Sequence, residues 1–387
     1  MSNASILESL PIAPSENPFV IEHGGFYRRW FSMIDDLQLL KDTVVTLKGT
    51  TDDLWVPVWR GIGRRFEDEA EQLAAKEEGA VARAKFLQAK TFYSIARFPR
   101  PLTPLKEEVN LDCIRVYLRS CEFLEPPLEV VSVECEGNSI ISHFRAPESA
   151  VPDSPAPAVL IMCGGDMFKE DRGWAGEMAM DNGLVSLVMD GPGTGENPFP
   201  YGPESVKAWM AAIDYLAGRP EVDENRIGAF GISRGGHSVM LLAGSYPERV
   251  RCAVASAGHP YGYRMGEEEL KNFVEMRNRR ASYIFGAPGD GPSFPPTSVE
   301  KEEALFKRWA LSELGIVDKI VCPVLMINGK QDHLAPIGNI YYMLEHGPVT
   351  GKEARIYPDD GHCAFKYFDE WAPESFRWIR EKVDRRG

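Results

Sequence analysis

The sequence predicts an α/β fold, in which a mostly parallel, doubly wound sheet follows a helical N-terminal domain. After about residue 128, short continuous apolar runs alternate with amphipathic helical patterns, and such runs are typical of parallel strands buried on both faces. Before that point the chain shows helical periodicity and contains no such runs. The stretch 259–318 is too long for a plain crossover, so we expect an inserted cap segment there.

Residues 1–127 are predicted to form the helical domain. Apolar residues recur at three- and four-residue steps between residues 20 and about 125, which is the spacing of helices with one buried stripe. We expect this domain to act as a lid or to pair two subunits in a homodimer. The patterns that carry the prediction are Phe26–Leu40, Glu67–Ile95 and Asn110–Phe123.

Residues 128–387 are predicted to form the sheet domain, beginning with a strand pair around a Gly137-Asn138 turn. The predicted strands are Val130–Val133, Ile140–Phe144, Ala158–Met162, Leu184–Met189, Arg226–Phe230, Cys252–Ser256, Val321–Ile327 and Ala354–Tyr357. The predicted helices between and after them are Gly173–Met180, Glu204–Leu216, Gly236–Ser245 and Trp371–Val383.

The charge balance argues against two classes of partner. The 387 residues include 43 Lys and Arg against 57 Asp and Glu, for a formal net charge of −14. An acidic surface repels phosphate backbones and anionic lipid, so we expect no nucleic-acid partner and no membrane docking. The 44% hydrophobic and 26% charged residues are typical of an ordinary globular protein.

The spacing of the cysteines and the N-terminal stretch indicate the cellular compartment and whether a metal or cofactor is expected. The seven cysteines are scattered, and no CxxC pair or His/Cys cluster has the spacing of zinc ligands. The stretch Met1–Pro11 lacks the basic and apolar regions of a secretory signal, and no apolar stretch approaches membrane-spanning length. We therefore expect a cytoplasmic protein with reduced thiols and with neither a metal nor a cofactor.

A candidate nucleophile lies in the pentapeptide Gly231–Gly235, which matches G-x-S-x-G. The pattern follows an apolar strand directly and opens a helix, and that context places a serine on a sharp strand-to-helix turn. The helix N-terminus also favours negative charge developing near Ser233. The alternative is a glycine-rich turn without catalytic function.

A serine hydroxyl needs a base to take its proton, and the base needs a group that orients it. In this architecture the acid and then the histidine follow the serine along the chain. Asp332 comes just after the strand Val321–Ile327, and His362 comes between the last strand and the final helix. We therefore predict Asp332 as the acid and His362 as the base, with a turn-forming role as the alternative for Asp332.

The other histidines fit the base less well. His237 lies inside the helix that follows the nucleophile, where it packs or points away, and His333 precedes the last strand. His259 follows a strand at the active edge and is predicted to line the pocket. The remaining three, outside the catalytic layout or exposed, are His23, His143 and His346.

Backbone N–H groups are expected to form an oxyanion hole. One comes from Arg234, the residue after the serine, and others come from Gly165 and Asp166 after the first central strand. The tripeptide at residues 23–25 resembles an HGG oxyanion motif, but it precedes the sheet and is rejected. The loop at residues 191–195 lacks the GK[ST] ending of a phosphate loop and is expected to form a pocket wall.

Aromatic side chains in the cap segment are candidates for substrate binding. Tyr261 and Tyr263 join His259 in this prediction, with a small local core as the alternative. The acidic run Glu267–Glu269 is more typical of a solvated helix face than of a catalytic group.

Ser233, Asp332 and His362, in this order on alternating strands and helices, resemble the α/β-hydrolase superfamily. The helical N-terminal region, Gly164-Gly165-Asp166 with Lys169-Glu170, and the loop at residues 190–195 narrow the resemblance to one branch. That branch contains dihydroxypseudooxynicotine hydrolase, fungal heptaketide hydrolases and, nearby, the FrsA-like esterases. The match extends over most of the chain and is strongest from about 128 to 370.

The resemblance implies hydrolysis of a carbon–carbon bond next to a ketone in an aromatic or polyketide-like small molecule of secondary metabolism. A carbon leaving group must depart as a stabilised carbanion or be protonated, so a β-diketone or an acyl-phenol is the expected substrate. The same three residues would also serve an esterase, lactonase, thioesterase or acyltransferase. A noncatalytic binding protein of this fold is the third hypothesis, which the intact Ser233, Asp332 and His362 disfavour.

Overall fold

The computed structural model describes Ile34, residues 36–48, 51–98, 100–200, 202–258, 298–349 and 351–384, and scattered positions between 267 and 278. The chain divides into two units, one formed by Met1–Pro127 with Val274–Thr297 and the other by Leu128–Phe273 with Ser298–Gly387. Each unit is described by itself below. Most of the predicted cap segment lies outside the described residues, so the cap stays a prediction.

The first unit contains the helices α1 (Leu37–Thr46), α2 (Asp52–Ala74), α3 (Gly79–Ala96) and α4 (Pro104–Cys121). The helical pattern predicted over Glu67–Ile95 is divided by a turn, at which Glu77 adopts a φ of 62°. Helix α4 begins where a capping residue favours it, because the Thr103 hydroxyl accepts the Lys106 N–H at 3.4 Å and Pro104 occupies the first turn.

Aromatic side chains fill the core of this unit. The rings of Phe66 and Phe92 stack with centroids 5.4 Å apart, and Trp59 stacks on Phe92 at 6.2 Å. The indole N–H of Trp55 donates to the Ile95 carbonyl at 2.8 Å, which satisfies its one buried polar atom. The unit therefore has a hydrophobic core of its own.

The second unit is built on a sheet of eight strands within the described ranges. They are β1 (Glu129–Cys135), β2 (Asn138–Arg145), β3 (Ala156–Met162), β4 (Val185–Met189), β5 (Val222–Ile232), β6 (Cys252–Ser256), β7 (Val324–Gly329) and β8 (Lys352–Tyr357). Their order is β1-β2-β4-β3-β5-β6-β7-β8. The hairpin β1–β2 is antiparallel and β2 pairs antiparallel with β4, whereas the pairs from β4 to β8 are parallel. The predicted mostly parallel sheet is confirmed.

Helices cover both faces of the sheet. The helices of this unit within the described ranges are α5 (Gly173–Asp181), α6 (Val206–Ala217), α7 (Arg234–Ser245), α8 (Val299–Trp309), α9 (Gly338–Glu345) and α10 (Phe368–Asp384). Leu160 of β3 shares a core with α6 and α7, whereas its neighbour Ile161 shares another with α5 and α10. Successive side chains of a strand point to opposite faces, so this division confirms a doubly wound sheet.

Some element bounds differ from the prediction. Strand β7 begins at Val324 rather than Val321, because Val321 is 52% exposed and Pro323 has no N–H for the ladder. Helices α8 and α9 are not among the predicted helices. No helix within the described ranges is both long and apolar enough to cross a bilayer.

Candidate active site

Ser233 lies at the turn between β5 and α7. Its φ of 59° and ψ of −118° fall outside the regions that L-residues ordinarily adopt. Its N–H donates to the Ser256 carbonyl at 2.7 Å, which holds the turn at the end of β6. A Cβ on Gly231 would overlap the Gly235 carbonyl, and a Cβ on Gly235 would overlap the Met162 carbonyl. The two glycines therefore allow the close backbone approach that this turn requires.

The structure brings the three predicted catalytic side chains together. Nε2 of His362 lies 2.9 Å from Ser233 Oγ, and Nδ1 of His362 lies 2.8 Å from Asp332 Oδ2. The carboxylate has no exposed side-chain surface, whereas the imidazole is 24% exposed. An ionised carboxylate only accepts hydrogen bonds, so Nδ1 carries the proton and Nε2 is the acceptor for the serine hydroxyl.

Asp332 is held as an ionised carboxylate. Its Oδ1 accepts the N–H groups of Leu334 at 2.7 Å and Ala335 at 3.0 Å. Burial alone would raise the pKa of Asp332, but the charge and hydrogen bond of His362, with the donors of Ala335 and Asn328, hold this pKa well below its ordinary value. In turn, burial alone would lower the pKa of His362, and the Asp332 carboxylate holds it well above 6.5.

Asn328, which is not among the predicted site residues, connects the acid Asp332 to Cys363, the residue that follows the base. Its Nδ2 donates to Asp332 Oδ2 at 2.8 Å and to the Ala335 carbonyl at 2.9 Å. Its Oδ1 accepts the N–H groups of Gly329 at 2.9 Å and of Cys363 at 3.2 Å. A polar residue inside the buried strand β7 is the sequence feature that marks it.

The turn after His362 is strained. Cys363 and Ala364 have φ values of 67° and 47°, a region that costs non-glycine residues about 1–3 kcal/mol each. The Cys363 N–H bonds to Asn328, and the Trp371 indole donates to the Ala364 carbonyl at 3.0 Å. Contacts from β7 and α10 therefore hold the histidine in place.

The stretch that carries two of the predicted oxyanion donors, Gly165 and Asp166, begins beside the serine turn. A Cβ on Gly164 would lie 3.2 Å from the Ile232 carbonyl and 3.8 Å from Ser233 Cβ, so this stretch packs directly against the serine turn. The neighbouring Gly165 faces the Arg234 side chain, whose Nη2 lies 3.5 Å from the Gly164 carbonyl. The assignment of the Arg234, Gly165 and Asp166 N–H groups to an oxyanion hole stays a prediction.

A buried ionic cluster follows this stretch, and its assembly is not apparent from the sequence. Nζ of Lys169 lies 2.8 Å from Glu170 Oε1, 3.2 Å from Asp190 Oδ2 and 2.5 Å from Glu196 Oε2. Lys169, Glu170 and Asp190 are each at most 2% exposed. Burial alone would lower the pKa of Lys169, but the three carboxylates hold it well above its ordinary value.

The remaining candidates lie apart from this constellation or outside the described residues. His237 is buried in α7, where its Nε2 lies 3.1 Å from the Trp309 carbonyl and burial lowers its pKa to about 4. Glu267 is exposed and pairs with Lys271. The predicted pocket residues His259, Tyr261 and Tyr263 lie outside the described residues. Within the described part of the chain, no cluster of His, Cys, Asp and Glu could hold a metal ion.

Comparisons with known proteins agree with this architecture. Residues 34–276, more than half of the chain, match the family model described as "Esterase FrsA-like". The 2,6-dihydropseudooxynicotine hydrolase of Paenarthrobacter nicotinovorans is 23% identical over 338 residues, which is 86% of each chain. Esterase FrsA of Shigella boydii is 25% identical over 353 residues, or 89% of this chain and 80% of that protein.

The crystal structure of 2,6-dihydroxy-pseudo-oxynicotine hydrolase superposes with a TM-score of 0.73 at 20% identity, covering 93% of this chain and 96% of the other. This likeness shows a shared α/β-hydrolase fold. Together with the family match, it means that the chain belongs to the FrsA-like esterase family and is an α/β-hydrolase enzyme.

Proposed function

We propose that the enzyme is a serine hydrolase that uses Ser233 as the nucleophile, His362 as the general base and Asp332 as the group that orients it. One observation carries the proposal: the hydrogen bonds of 2.9 Å and 2.8 Å that join the three side chains in series at the carboxyl edge of the sheet. The low pKa of Asp332 supports it, because a carboxylate that stays ionised stabilises the imidazolium formed during attack.

The chemistry begins when Ser233 Oγ bonds to a substrate carbonyl carbon and its proton passes to Nε2 of His362. The carbonyl oxygen becomes an oxyanion, and in this proposal the N–H groups of Arg234, Gly165 and Asp166 donate hydrogen bonds to it. The intermediate collapses, the bond to the leaving group breaks, and the imidazolium returns the proton to that group. A water molecule, activated by His362, then releases the acid from the serine.

For the scissile bond, we propose a carbon–carbon bond next to a ketone in an aromatic or polyketide-like small molecule. The similarity to 2,6-dihydropseudooxynicotine hydrolase over 86% of each chain supports this choice. A carbon leaving group needs a proton as it departs, and His362, whose Nε2 lies 2.9 Å from Ser233 Oγ, would supply it after taking the serine proton. The expected substrates are β-diketones and acyl-phenols.

The alternative is cleavage of an ester, lactone or thioester, or transfer of the acyl group to another alcohol or amine. The match to the FrsA-like esterase family favours it. The same nucleophile, base and oxyanion donors serve both reactions. They differ in the leaving group, which in ester cleavage is an alkoxide that needs less help from a proton.

Paired substrates would separate the two functions. Aryl 1,3-diketones and aryl esters with the same acyl group would be incubated in H₂¹⁸O, and mass spectrometry would identify which bond has gained water. Turnover of the diketones, with label in the released acid, is expected. Fast ester turnover without diketone turnover would favour the alternative, and a Ser233→Ala variant with full turnover would refute the serine mechanism.

A further inference from the structure

Two loops meet beside the candidate nucleophile: the β3 loop (residues 163–168) and the β4 loop (residues 190–197). The β3 loop carries the proposed oxyanion donors, and Lys169 follows it directly. The β4 loop begins at Asp190, whose side chain is fully buried. Close backbone packing and the Asp190 carboxylate connect the two loops.

The Asp190 carboxylate joins the end of one loop to the end of the other. Its Oδ1 accepts the backbone N–H of Lys169 at 2.7 Å. Its Oδ2 accepts the backbone N–H of Glu196 at 3.0 Å and lies 3.2 Å from the Lys169 ammonium. The Asp190 carbonyl accepts Nδ2 of Asn197 at 2.8 Å, which folds the β4 loop back on itself.

The loop backbones pack closely where this carboxylate lies. A Cβ on Gly191 would lie 3.4 Å from the Gly164 carbonyl and 3.6 Å from the Cys163 carbonyl. Gly195 has a φ of 53°, and a Cβ there would overlap the Asp190 carboxylate. A shift of Asp190 would therefore move the backbone on which the proposed oxyanion donors lie.

A buried ionic cluster is a costly way to gain stability, because desolvation offsets most of the attraction between the charges. Such a cluster does fix the geometry of the two loops, because each oxygen of the Asp190 carboxylate has defined donors. Charge-assisted hydrogen bonds are short and directional. This cluster joins two segments about 20 residues apart in sequence at the loop next to the serine. Its location indicates that it fixes the positions of the backbone groups beside the serine.

We propose that Asp190 is a positioning residue for catalysis, which fixes the β3 loop so that its N–H groups point at the substrate oxyanion. The inference rests on the proposed function, because it requires an oxyanion formed at Ser233. It adds a residue that touches neither the substrate nor the His362–Asp332 pair.

The test is Asp190→Asn. The amide keeps one acceptor oxygen and turns the other atom into a donor, so either the Lys169 N–H or the Glu196 N–H loses its acceptor. Misplacing a catalytic group by about 1 Å costs roughly 100-fold in rate, and removing one oxyanion donor costs about 10²–10³-fold. We expect kcat for p-nitrophenyl butyrate to fall by about 10- to 100-fold, with KM changed by less than about 3-fold.

The affinity of a trifluoromethyl ketone inhibitor distinguishes a positioning role from a merely structural one, because a structural role would leave that affinity unchanged. The ketone adds to the serine and forms a tetrahedral alkoxide, so its affinity reports on the oxyanion donors. Its inhibition constant should rise by the same factor as kcat falls. The acid limb of the pH–rate profile should stay where it is, because the His362–Asp332 hydrogen bond is untouched.

Glu353→Gln is the matched control. Glu353 pairs with Lys382 at 2.9 Å and accepts the Trp378 indole N–H at 2.8 Å. It lies near the start of β8, at the amino ends of the parallel strands and therefore away from the serine turn at their carboxyl ends. The substitution should lower the unfolding temperature and leave kcat and ketone affinity unchanged. Asn197→Ala is the milder second variant, and it removes the hydrogen bond to the Asp190 carbonyl together with the acceptor of the Phe199 N–H. It is expected to lower kcat and ketone affinity together by about 3- to 10-fold, the range expected for loss of the Asp190 hydrogen bond.

The inference is overturned if folded Asp190→Asn retains kcat within 3-fold, or if kcat falls while ketone affinity is unchanged. If Asp190→Asn does not fold, Asn197→Ala decides: wild-type kcat and affinity refute the inference, and a parallel loss supports it. Ser233→Ala separates this failure from failure of the proposed function. An inactive Ser233→Ala with an unimpaired Asp190→Asn refutes only the positioning role, whereas an active Ser233→Ala refutes the serine mechanism itself.

Discussion

Asn328→Asp replaces the amide that donates a hydrogen bond to Asp332 by a carboxyl group. The Nδ2 atom that is replaced lies 2.8 Å from Asp332 Oδ2 and 2.9 Å from the Ala335 carbonyl. Both are acceptors, so an ionised carboxylate there would face two oxygens at hydrogen-bonding distance. We expect the new carboxyl to hold its proton in the folded state, with a pKa raised well above its unfolded value of about 3.9.

The magnitude follows from linkage between protonation and folding. A carboxyl that stays protonated in the folded state but ionises on unfolding costs about 1.4 kcal/mol for each pH unit above 3.9. The cost is absent below pH 3.9 and grows as the pH rises, until the folded-state pKa is reached. It amounts to about 1.5 kcal/mol at pH 5 and at most about 4 kcal/mol at pH 7.

The assay is urea unfolding of the variant and the wild type at pH 5 and pH 7, followed by tryptophan fluorescence. The free energy of unfolding lost by the variant should be about 1–2.5 kcal/mol larger at pH 7 than at pH 5. Asn225→Asp is the matched control, since Asn225 is exposed and its variant should show no such difference. An equal loss at both pH values for Asn328→Asp would refute the reasoning, because the carboxyl would then not be held protonated.

Three further predictions concern the serine turn and the histidine. Ser233→Ala should lower kcat by about 10⁴-fold or more at an unchanged unfolding temperature; steady-state turnover near the wild-type value would contradict the assignment. The rate should fall with pH below the raised pKa of His362, because only neutral imidazole accepts the serine proton. Asp332→Asn should therefore slow turnover and shift the acid limb of the kcat/KM pH profile to lower pH. An acid limb at the wild-type pH would count against the pairing of Asp332 with His362. Gly235→Ala should prevent folding or lower the unfolding temperature sharply, because its Cβ overlaps the Met162 carbonyl; a calorimetric midpoint equal to the wild type would exclude that overlap.

Local sequence was informative wherever neighbours along the chain determine the structure. An apolar strand, a serine between two glycines and a helix place Ser233 on a sharp turn, and no distant residue is needed to recognise it. The same holds for the sheet, since continuous apolar runs alternating with helices imply parallel strands covered on both faces. Asp332 and His362 could be singled out because the carboxyl ends of parallel strands share one edge.

Contacts between distant segments could not be predicted in this way. The Lys169–Asp190 pair joins residues 21 positions apart, and a buried lysine has the same letter as an exposed one. Asn328 contacts Cys363 across 35 positions, so its role depends on how β7 lies beside the loop after β8. The observed start of β7 differs from the predicted start for a related reason, because the exposure of Val321 depends on what packs against it.

By itself, the sequence determined the α/β class, the doubly wound sheet and the serine turn, because these follow from periodicity and from short-range backbone geometry. Only the tertiary structure decided which polar side chains surround that serine and at what distance. Hydrogen bonds act over about 3 Å, and a one-dimensional pattern does not specify separations on that scale. The 2.9 Å between His362 and Ser233 and the burial of Asp190 are therefore properties of the folded chain.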